Sequence, residues 1–185
     1  MLAGLIAVCL LLALSTTPAS AQPVVPAVEI AGGYSLLPAN GDDFPRQTSH
    51  GFQASVSANV THWFGVLGDV AVHFNTARDL GPGFVGRVAR TRVTQYLAGP
   101  RFVARSGPVS VFAHGLVGLA SGDAGEDFSG FSDTKLTFGG GGGVDVQLRP
   151  RLAIRGQFDL LASFADIVEG NTRFGVGLAV GLGGS

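Results

Sequence analysis

The sequence has little charge, a single cysteine and, after its first segment, no long apolar run. Charged residues make up 14% of the 185 residues, against about 25% in an average globular domain, which argues against an ordinary soluble enzyme. Twelve basic residues face thirteen acidic ones, so there is no basic surplus and we expect no nucleic-acid partner. Disorder is excluded because 46% of the residues are hydrophobic and the net charge is only −1.

The first 21 residues carry no charged side chain and are apolar from residue 2 to residue 14. They end on Ala19-Ser20-Ala21, a small-x-small pattern that predicts a signal peptide over residues 1–21 and a mature domain over 22–185. The apolar run is shorter than the roughly 20 residues of a membrane-spanning helix, which disfavours a retained anchor. Cys9, the only cysteine, lies in this segment. We therefore expect no disulfide or thiolate metal site in the mature chain. No cofactor is predicted from the rest of the sequence either.

Beyond residue 21 the hydrophobic residues recur with a period of two. In residues 52–60, Phe52, Val56 and Val60 alternate with polar residues such as Gln53 and Asn59, as on the two faces of a strand. Seven further segments read the same way, giving eight strands. The predicted connections alternate between long and short, at 37–50, 61–63, 76–92, 105–108, 121–134, 149–151 and 162–172. This layout predicts an all-β protein, an eight-stranded antiparallel up-and-down transmembrane β-barrel.

The charged residues avoid the apolar strand faces, where an Arg or Lys at the bilayer midplane would cost about 2–4 kcal/mol. The apolar faces are therefore expected to meet lipid, and the polar faces to line a lumen only wide enough for side chains. We predict a closed lumen with Arg101 and Arg155 as centres of its charge network, completed by Gln95 and Gln157. The predicted network comprises Glu29, Asp69, His73, Arg101, His114, Asp145, Arg155, Asp159 and Arg173.

The aromatic residues of the apolar faces are expected to form two interfacial girdles. The outer girdle would contain Tyr34, Phe52, Phe74, Tyr96, Phe138, Phe158 and Phe174, and the periplasmic girdle Trp63, Phe64 and Phe102. Phe112 is the exception, because its position falls on the inward face.

Four stretches, NVTHWFGVLGDVAVHF, YLAGPRFVAR, VFAHGLVG and GGGGGVDVQLRPRLAIRGQFDLL, resemble in order and spacing the small outer-membrane β-barrel domain of the OmpA transmembrane type. The resemblance covers nearly all of residues 28–183. It implies a membrane-spanning domain and surface protein of a Gram-negative outer membrane. The predicted partners are outer-membrane lipid, lipopolysaccharide and the barrel insertion machinery. One departure is Leu182 at the end of the last strand, where such barrels usually carry an aromatic residue.

The sequence thus predicts a structural and surface-interaction protein, not an enzyme, with no catalytic residues. A small-solute pore and a soluble periplasmic ligand-binding barrel are alternatives, and a lipid-modifying enzyme is a weaker one. The predicted lipid-facing set contains neither Ser nor His for a deacylase. An acyltransferase at the outer rim could use Ser49 and His50, with Asp42 or Asp43 nearby. The run Gly139–Gly143 matches neither phosphate-binding pattern considered, Walker A or G-x-G-x-x-G before a helix.

Two predicted outer connections carry charge of opposite sign. The one at 76–92 contains Arg78, Arg87, Arg90 and Arg92, whereas the one at 121–134 contains Asp123, Glu126, Asp127 and Asp133. We expect the two to attract one another or to divide the work of binding. The arginines are candidates for lipopolysaccharide phosphates, because guanidinium groups bind phosphate in a bidentate manner. The surface ligand itself is not predicted.

Overall fold

A computed structural model describes residues 25–38, 48–78, 88–125, 131–163 and 171–183. Its strands are β1 (Val28–Pro38), β2 (Thr48–Asn59), β3 (Phe64–Arg78), β4 (Val88–Ser106), β5 (Val109–Gly125), β6 (Phe131–Arg149), β7 (Leu152–Ser163) and β8 (Asn171–Leu182). Each strand pairs antiparallel with the next, and β1 pairs with β8 to close the barrel. The predicted eight-stranded fold is confirmed. Within these ranges, no helix is long and apolar enough to cross a membrane.

The two faces of each strand have opposite character. In β7, Arg155, Gln157 and Asp159 are buried in the lumen, while Phe158 and Leu160 are exposed on the outside. Phe52, which points outward from β2, is 67% exposed, whereas Arg101, which points into the lumen from β4, is 0% exposed. A surface this apolar around a polar interior is the arrangement of a barrel whose solvent is hydrocarbon.

Tight turns join the strands at one rim, here called the turn rim. Between β4 and β5, Gly107 adopts a φ of +56° and is followed by Pro108. A positive φ at the first central position fits a type II′ hairpin turn, and proline at the second excludes type I′, which needs positive φ at both. In the β2–β3 connection, the Thr61 Oγ1 accepts a hydrogen bond of 3.0 Å from the Phe64 backbone N–H.

The strands extend further toward the opposite rim, the loop rim, than the sequence predicts. β3 reaches Arg78 and β4 begins at Val88, while β5 reaches Gly125 and β6 begins at Phe131. The predicted connections at 37–50, 76–92, 121–134 and 162–172 are therefore too long. The physical reason is that antiparallel pairing needs only backbone groups. Beyond the membrane both faces of a strand are hydrated, so the alternation that identifies a strand disappears before the strand ends.

Residues 25–27 lead into β1 at the turn rim. The Ala27 carbonyl accepts a 2.9 Å hydrogen bond from the Asn59 backbone N–H, and the Pro26 carbonyl accepts one of 2.8 Å from Asn59 Nδ2. The start of β1 is thereby attached to the end of β2. The predicted signal peptide at 1–21 lies outside the described residues.

Closure of the sheet generates a prediction about denaturation. Because each of the eight described strands pairs on both sides, unfolding in detergent should be slow at room temperature. Boiled and unboiled samples are expected to migrate differently on a denaturing gel. Identical migration, together with recovery of the protein in the soluble fraction, would contradict a membrane barrel.

Candidate functional site

The lumen holds all nine predicted network residues, and every one of them is buried. Barrel closure sorts eight of the nine into two clusters that sequence reasoning did not separate. The turn-side cluster contains Glu29, Arg101, Asp145 and Arg155, and the loop-side cluster contains Asp69, His114, Asp159 and Arg173.

In the turn-side cluster, two guanidinium groups share two carboxylates. Arg155 binds Asp145 through two 2.7 Å hydrogen bonds, from Nε to Oδ1 and from Nη2 to Oδ2, and it also donates to Glu29. Arg101 donates from Nη1 to Glu29 Oε1 at 2.7 Å, and from Nη2 to Asp145 Oδ2 at 3.3 Å. With Arg and carboxylate in equal number, the cluster is neutral, and bidentate geometry of this kind is the strongest charge-assisted hydrogen bonding.

Phe112 lies between the two arginines of this cluster. The guanidinium carbon of Arg101 is 4.5 Å from the ring centroid and that of Arg155 is 4.7 Å from it. Each contact is within the distance of a cation–π interaction. The inward position of Phe112, predicted as an exception to the girdles, thus places an aromatic ring against both like charges.

The loop-side cluster is centred on Arg173, which was predicted as a network member but not as a centre. Arg173 donates from Nη1 to Asp69 Oδ1 at 2.6 Å and from Nε to Asp159 Oδ2 at 2.8 Å. Asp159 Oδ1 lies 2.6 Å from His114 Nε2, and Asp159 Oδ2 accepts a 2.9 Å bond from Gln157. Arg101 and Arg155 are therefore centres of one cluster only. Arg173 lies near the start of β8, which is why a preference for mid-strand positions passed over it.

His73 belongs to neither cluster by direct contact. Its Nε2 is 2.9 Å from the Ser35 Oγ, and the ring is fully buried. The lumen also contains an apolar group that the sequence analysis did not name, formed by Leu67, Leu97, Leu116 and Leu161. Their inward orientation could have been read from the sequence. Each leucine lies an even number of residues from the predicted network residues of its own strand and so points to the same side of the sheet.

The glycine run of β6 gives the lumen its room. Three inward glycines each lie between a residue of β5 and a residue of β7, in the triplets Leu116, Gly139 and Leu161, His114, Gly141 and Asp159, and Phe112, Gly143 and Gln157. A Cβ at Gly139 would lie 2.7 Å from Leu161 Cδ2, and one at Gly143 would lie 2.5 Å from Phe112 Cζ. At Gly141 a Cβ would meet the Asp159 carboxylate and Phe158 backbone. The hydrogen bond between His114 and Asp159 therefore crosses directly over Gly141.

A cavity of about 360 Å³ opens at the turn rim, below the turn-side cluster. Glu29 and Asp145 lie on its cluster side, and Arg105 and Arg151 lie nearer the rim. Among the residues that the structure describes, no group of three or more His, Cys, Asp or Glu side chains could hold a metal ion.

Nine of the ten predicted girdle residues lie on outward strand positions, and the tenth, Trp63, lies in the β2–β3 connection next to β3. Trp63 stacks on Phe102 at 6.0 Å between ring centroids, and Phe64 contacts both rings. At the loop-rim end, the ring centroids of Phe158 and Phe174 are 5.1 Å apart. Other outward aromatic side chains are Tyr34, Phe52, Phe74, Tyr96 and Phe138, all exposed.

The structure places the predicted loop arginines mostly in strands. Arg78 is in β3, Arg90 and Arg92 are in β4, and Arg87 lies outside the described residues. The exposed Arg92 has its guanidinium 5.9 Å from the centroid of the Phe74 ring. Its cross-strand partner in β5 is Asp123.

The prediction that the lipid-facing set contains neither Ser nor His is wrong. β2 begins at Thr48, so His50 occupies an outward position and is exposed, hydrogen-bonded to Tyr34. Ser121 occupies an outward position of β5, where it accepts a hydrogen bond from Thr134 at 3.2 Å. Three strand spacings separate β2 from β5, or about 14 Å at ~4.8 Å each. His50 and Ser121 therefore do not form a nucleophile and base pair.

The arrangement defines a class, a membrane β-barrel with a filled polar interior and an apolar belt. The sequence model of a protein family, the outer membrane protein beta-barrel domain, matches residues 6–183. The chain belongs to this family. Outer-membrane localisation follows from that membership. The family membership also agrees with the resemblance to small outer-membrane barrels described above.

Solved structures similar to this chain are outer-membrane barrels. Neisserial surface protein A has a TM-score of 0.67 at 11% identity, covering 84% of this chain and 97% of that one. Ail of Yersinia pestis, in complex with the heparin analogue sucrose octasulfate, has a TM-score of 0.59 at 17% identity, covering 84% and 99%. The N-terminal β-barrel domain of Pseudomonas aeruginosa OprF has a TM-score of 0.51 at 10% identity, covering 84% and 97%. Such identities show the fold alone. A search of curated proteins finds no match.

Gly141→Ala is expected to destabilise the barrel by roughly 1–3 kcal/mol, because the added methyl group overpacks the lumen and displaces Asp159. The matched control is Gly115→Ala, since a Cβ at the outward Gly115 meets nothing within 4 Å. The measurement is urea unfolding in detergent, followed by the fluorescence of Trp63, the only tryptophan. Equal unfolding midpoints for the two variants would contradict the role assigned to Gly141.

Proposed function

We propose that this protein is a structural and surface-interaction barrel of the outer membrane, with a lumen closed to solutes. The observation that carries the proposal is the filling of the lumen by Arg101, Arg155 and Arg173, each shared between carboxylates. A role in envelope integrity, adhesion or ligand contact then falls to the exterior and the loops.

Closure follows from the cost of exposing or separating these charges. Removing one partner of a buried ion pair costs about 3–5 kcal/mol, because the remaining charge is uncompensated. A solute crossing the lumen would have to separate both clusters and pass the four leucines between the walls. The runner-up function, a small-solute pore, would require a second arrangement of the same side chains. A soluble ligand-binding barrel is disfavoured by the exposed apolar belt.

At the loop rim we propose contact with the phosphates of lipopolysaccharide through Arg78, Arg87, Arg90 and Arg92. Support comes from the exposed residue Arg92, whose guanidinium lies over the Phe74 ring on the outward face. Asp123, the cross-strand partner of Arg92 on β5, would partly neutralise the positive charge of Arg92 and hold the basic and acidic segments together. Insertion of the barrel would involve the barrel insertion machinery, as for other members of the family.

We also propose that the protein is not an enzyme. The separation of His50 from Ser121 supports this, as does the burial of His73 and His114 within hydrogen-bonded lumen contacts.

Purified protein in planar bilayers is expected to show little or no steady conductance. Arg101→Ala and Arg155→Ala should each raise the frequency of channel openings. Each substitution removes one of the two guanidinium groups that bind both Glu29 and Asp145, and so leaves excess negative charge in the turn-side cluster. Arg151→Ala, a change at an exposed residue of the turn rim, is the control. Large, steady conductance by the unmodified protein that neither lumen substitution alters would overturn the closed lumen and favour the pore.

Replacement of Arg78, Arg87, Arg90 and Arg92 together by Ser is expected to weaken association with lipopolysaccharide severalfold, most strongly at low salt. The control replaces the exposed Arg149 and Arg151 at the turn rim with Ser. Association can be measured by co-purification after refolding with lipopolysaccharide. Unchanged association of the fourfold variant would remove the proposed arginine contact.

A further inference from the structure

An apolar groove of about 420 Å³ runs along the outside of the barrel across β6, β7, β8 and β1. Leu36, Phe158 and Phe174 form its wall toward the loop rim, and Tyr34 and two valines lie one outward row nearer the turn rim. The groove exists because its floor includes the outward glycines Gly142 and Gly156. At Gly156 a Cβ would meet no atom within 4 Å, so the recess there is open space on the lipid-facing side.

A polar group lies next to the loop-rim end of this groove. Leu36, a wall residue, is the cross-strand partner of both Phe174 and His50, and Tyr34, which also lines the groove, is hydrogen-bonded through its hydroxyl to His50 Nδ1. When the tyrosine O–H donates to Nδ1, the imidazole proton is held at Nε2, which then acts as a donor. Two strands further on, at about 10 Å by strand spacing, Arg92 occupies the same outward row as His50.

We propose that the groove and this polar group form one lipid site, taken by lipid A of the outer leaflet. One acyl chain lies in the groove, while the phosphates meet the His50 Nε2–H and the Arg92 guanidinium. The inference deepens the lipopolysaccharide contact proposed above and rests on it. It adds His50, Tyr34 and the glycine-floored groove, none of which belongs to the arginine set.

The position and shape of the groove determine the occupant. The groove is continuous with the apolar belt and ends at the aromatic residues of the loop rim, so its surroundings are the acyl chains of the outer leaflet. A second copy of the barrel fits poorly. In a two-fold dimer the same patch faces itself, so two recesses would meet and enclose a void, which protein interfaces avoid.

The donors at the rim distinguish lipid A from other lipids. Lipid A carries phosphates at both ends of a disaccharide, and the row from His50 to Arg92 offers two separated phosphate contacts. A phospholipid with one phosphate could use only one of them. A dephosphorylated lipid A keeps the acyl chains and loses both contacts.

The test uses full-length mature protein, refolded in detergent, incubated with diphosphorylated lipid A and passed through size exclusion. Retained lipid is quantified by mass spectrometry. Gly156→Leu, which fills the groove, and His50→Ala, which removes the donor, are each expected to lower retention at least fivefold. The control Gly115→Leu fills another outward glycine position, on β5, where a Cβ likewise meets nothing within 4 Å, and it should retain lipid A like the unmodified protein.

Three outcomes would overturn the site. They are undiminished retention by Gly156→Leu, equal loss in Gly115→Leu, or equal retention of dephosphorylated lipid A or of phosphatidylglycerol. Heat-modified gel migration of each variant shows that the barrel has folded, so a folding defect is recognised separately. If the fourfold arginine variant loses lipopolysaccharide while Gly156→Leu does not, the general contact stands and the groove site fails. If neither loses it, both proposals fail.

Discussion

The central constraint on this barrel is that ionised side chains fill a lumen too narrow to hydrate them. Each buried guanidinium must find carboxylates at hydrogen-bond distance, and each carboxylate must find donors, because an unpaired charge there would cost several kcal/mol. The geometry meets this demand between neighbouring strands, as in the Arg155–Asp145 and Arg173–Asp159 pairs, and also across the barrel. Arg101 of β4 contacts Glu29 of β1 and Asp145 of β6. These contacts connect walls that the backbone ladder joins only indirectly.

The glycines of β6 are the counterpart of those long side chains. A barrel of fixed diameter can accommodate arginine, phenylalanine and leucine on some inward positions only if others carry no side chain. Gly139, Gly141 and Gly143 supply that space beneath pairs drawn from β5 and β7. A five-residue glycine run that could be taken for a flexible loop is therefore part of an ordered strand.

Much of the fold was predictable from the sequence, because it is encoded in a period of two and in which face the charges avoid. Burial of Glu29, Asp145 and Asp159 follows from their parity alone. The assignment of Arg173 to Asp69 did not follow, because it depends on the stagger of β3 and β8, which are far apart in the chain. Asp159, by contrast, lies directly opposite Arg173 on the preceding strand β7. The outward strand position of His50 was missed for a different reason. Near the loop rim polar and apolar residues no longer alternate, so the start of β2 could not be located.

The seam between β1 and β8 has a kinetic consequence. Val28 pairs with Leu182 and Leu36 with Phe174. The ladder that closes the barrel therefore joins the first and last strands, which are the two strands furthest apart in the sequence. Contacts of such sequence separation form slowly, because loop-closure entropy is lost before they contribute. Hairpins such as β4–β5, joined by two residues, can form early, whereas the final ladder waits for β8. Until then β1 and β8 are open edges with unpaired backbone groups. The nascent chain must therefore be shielded from aggregation throughout its passage to the membrane.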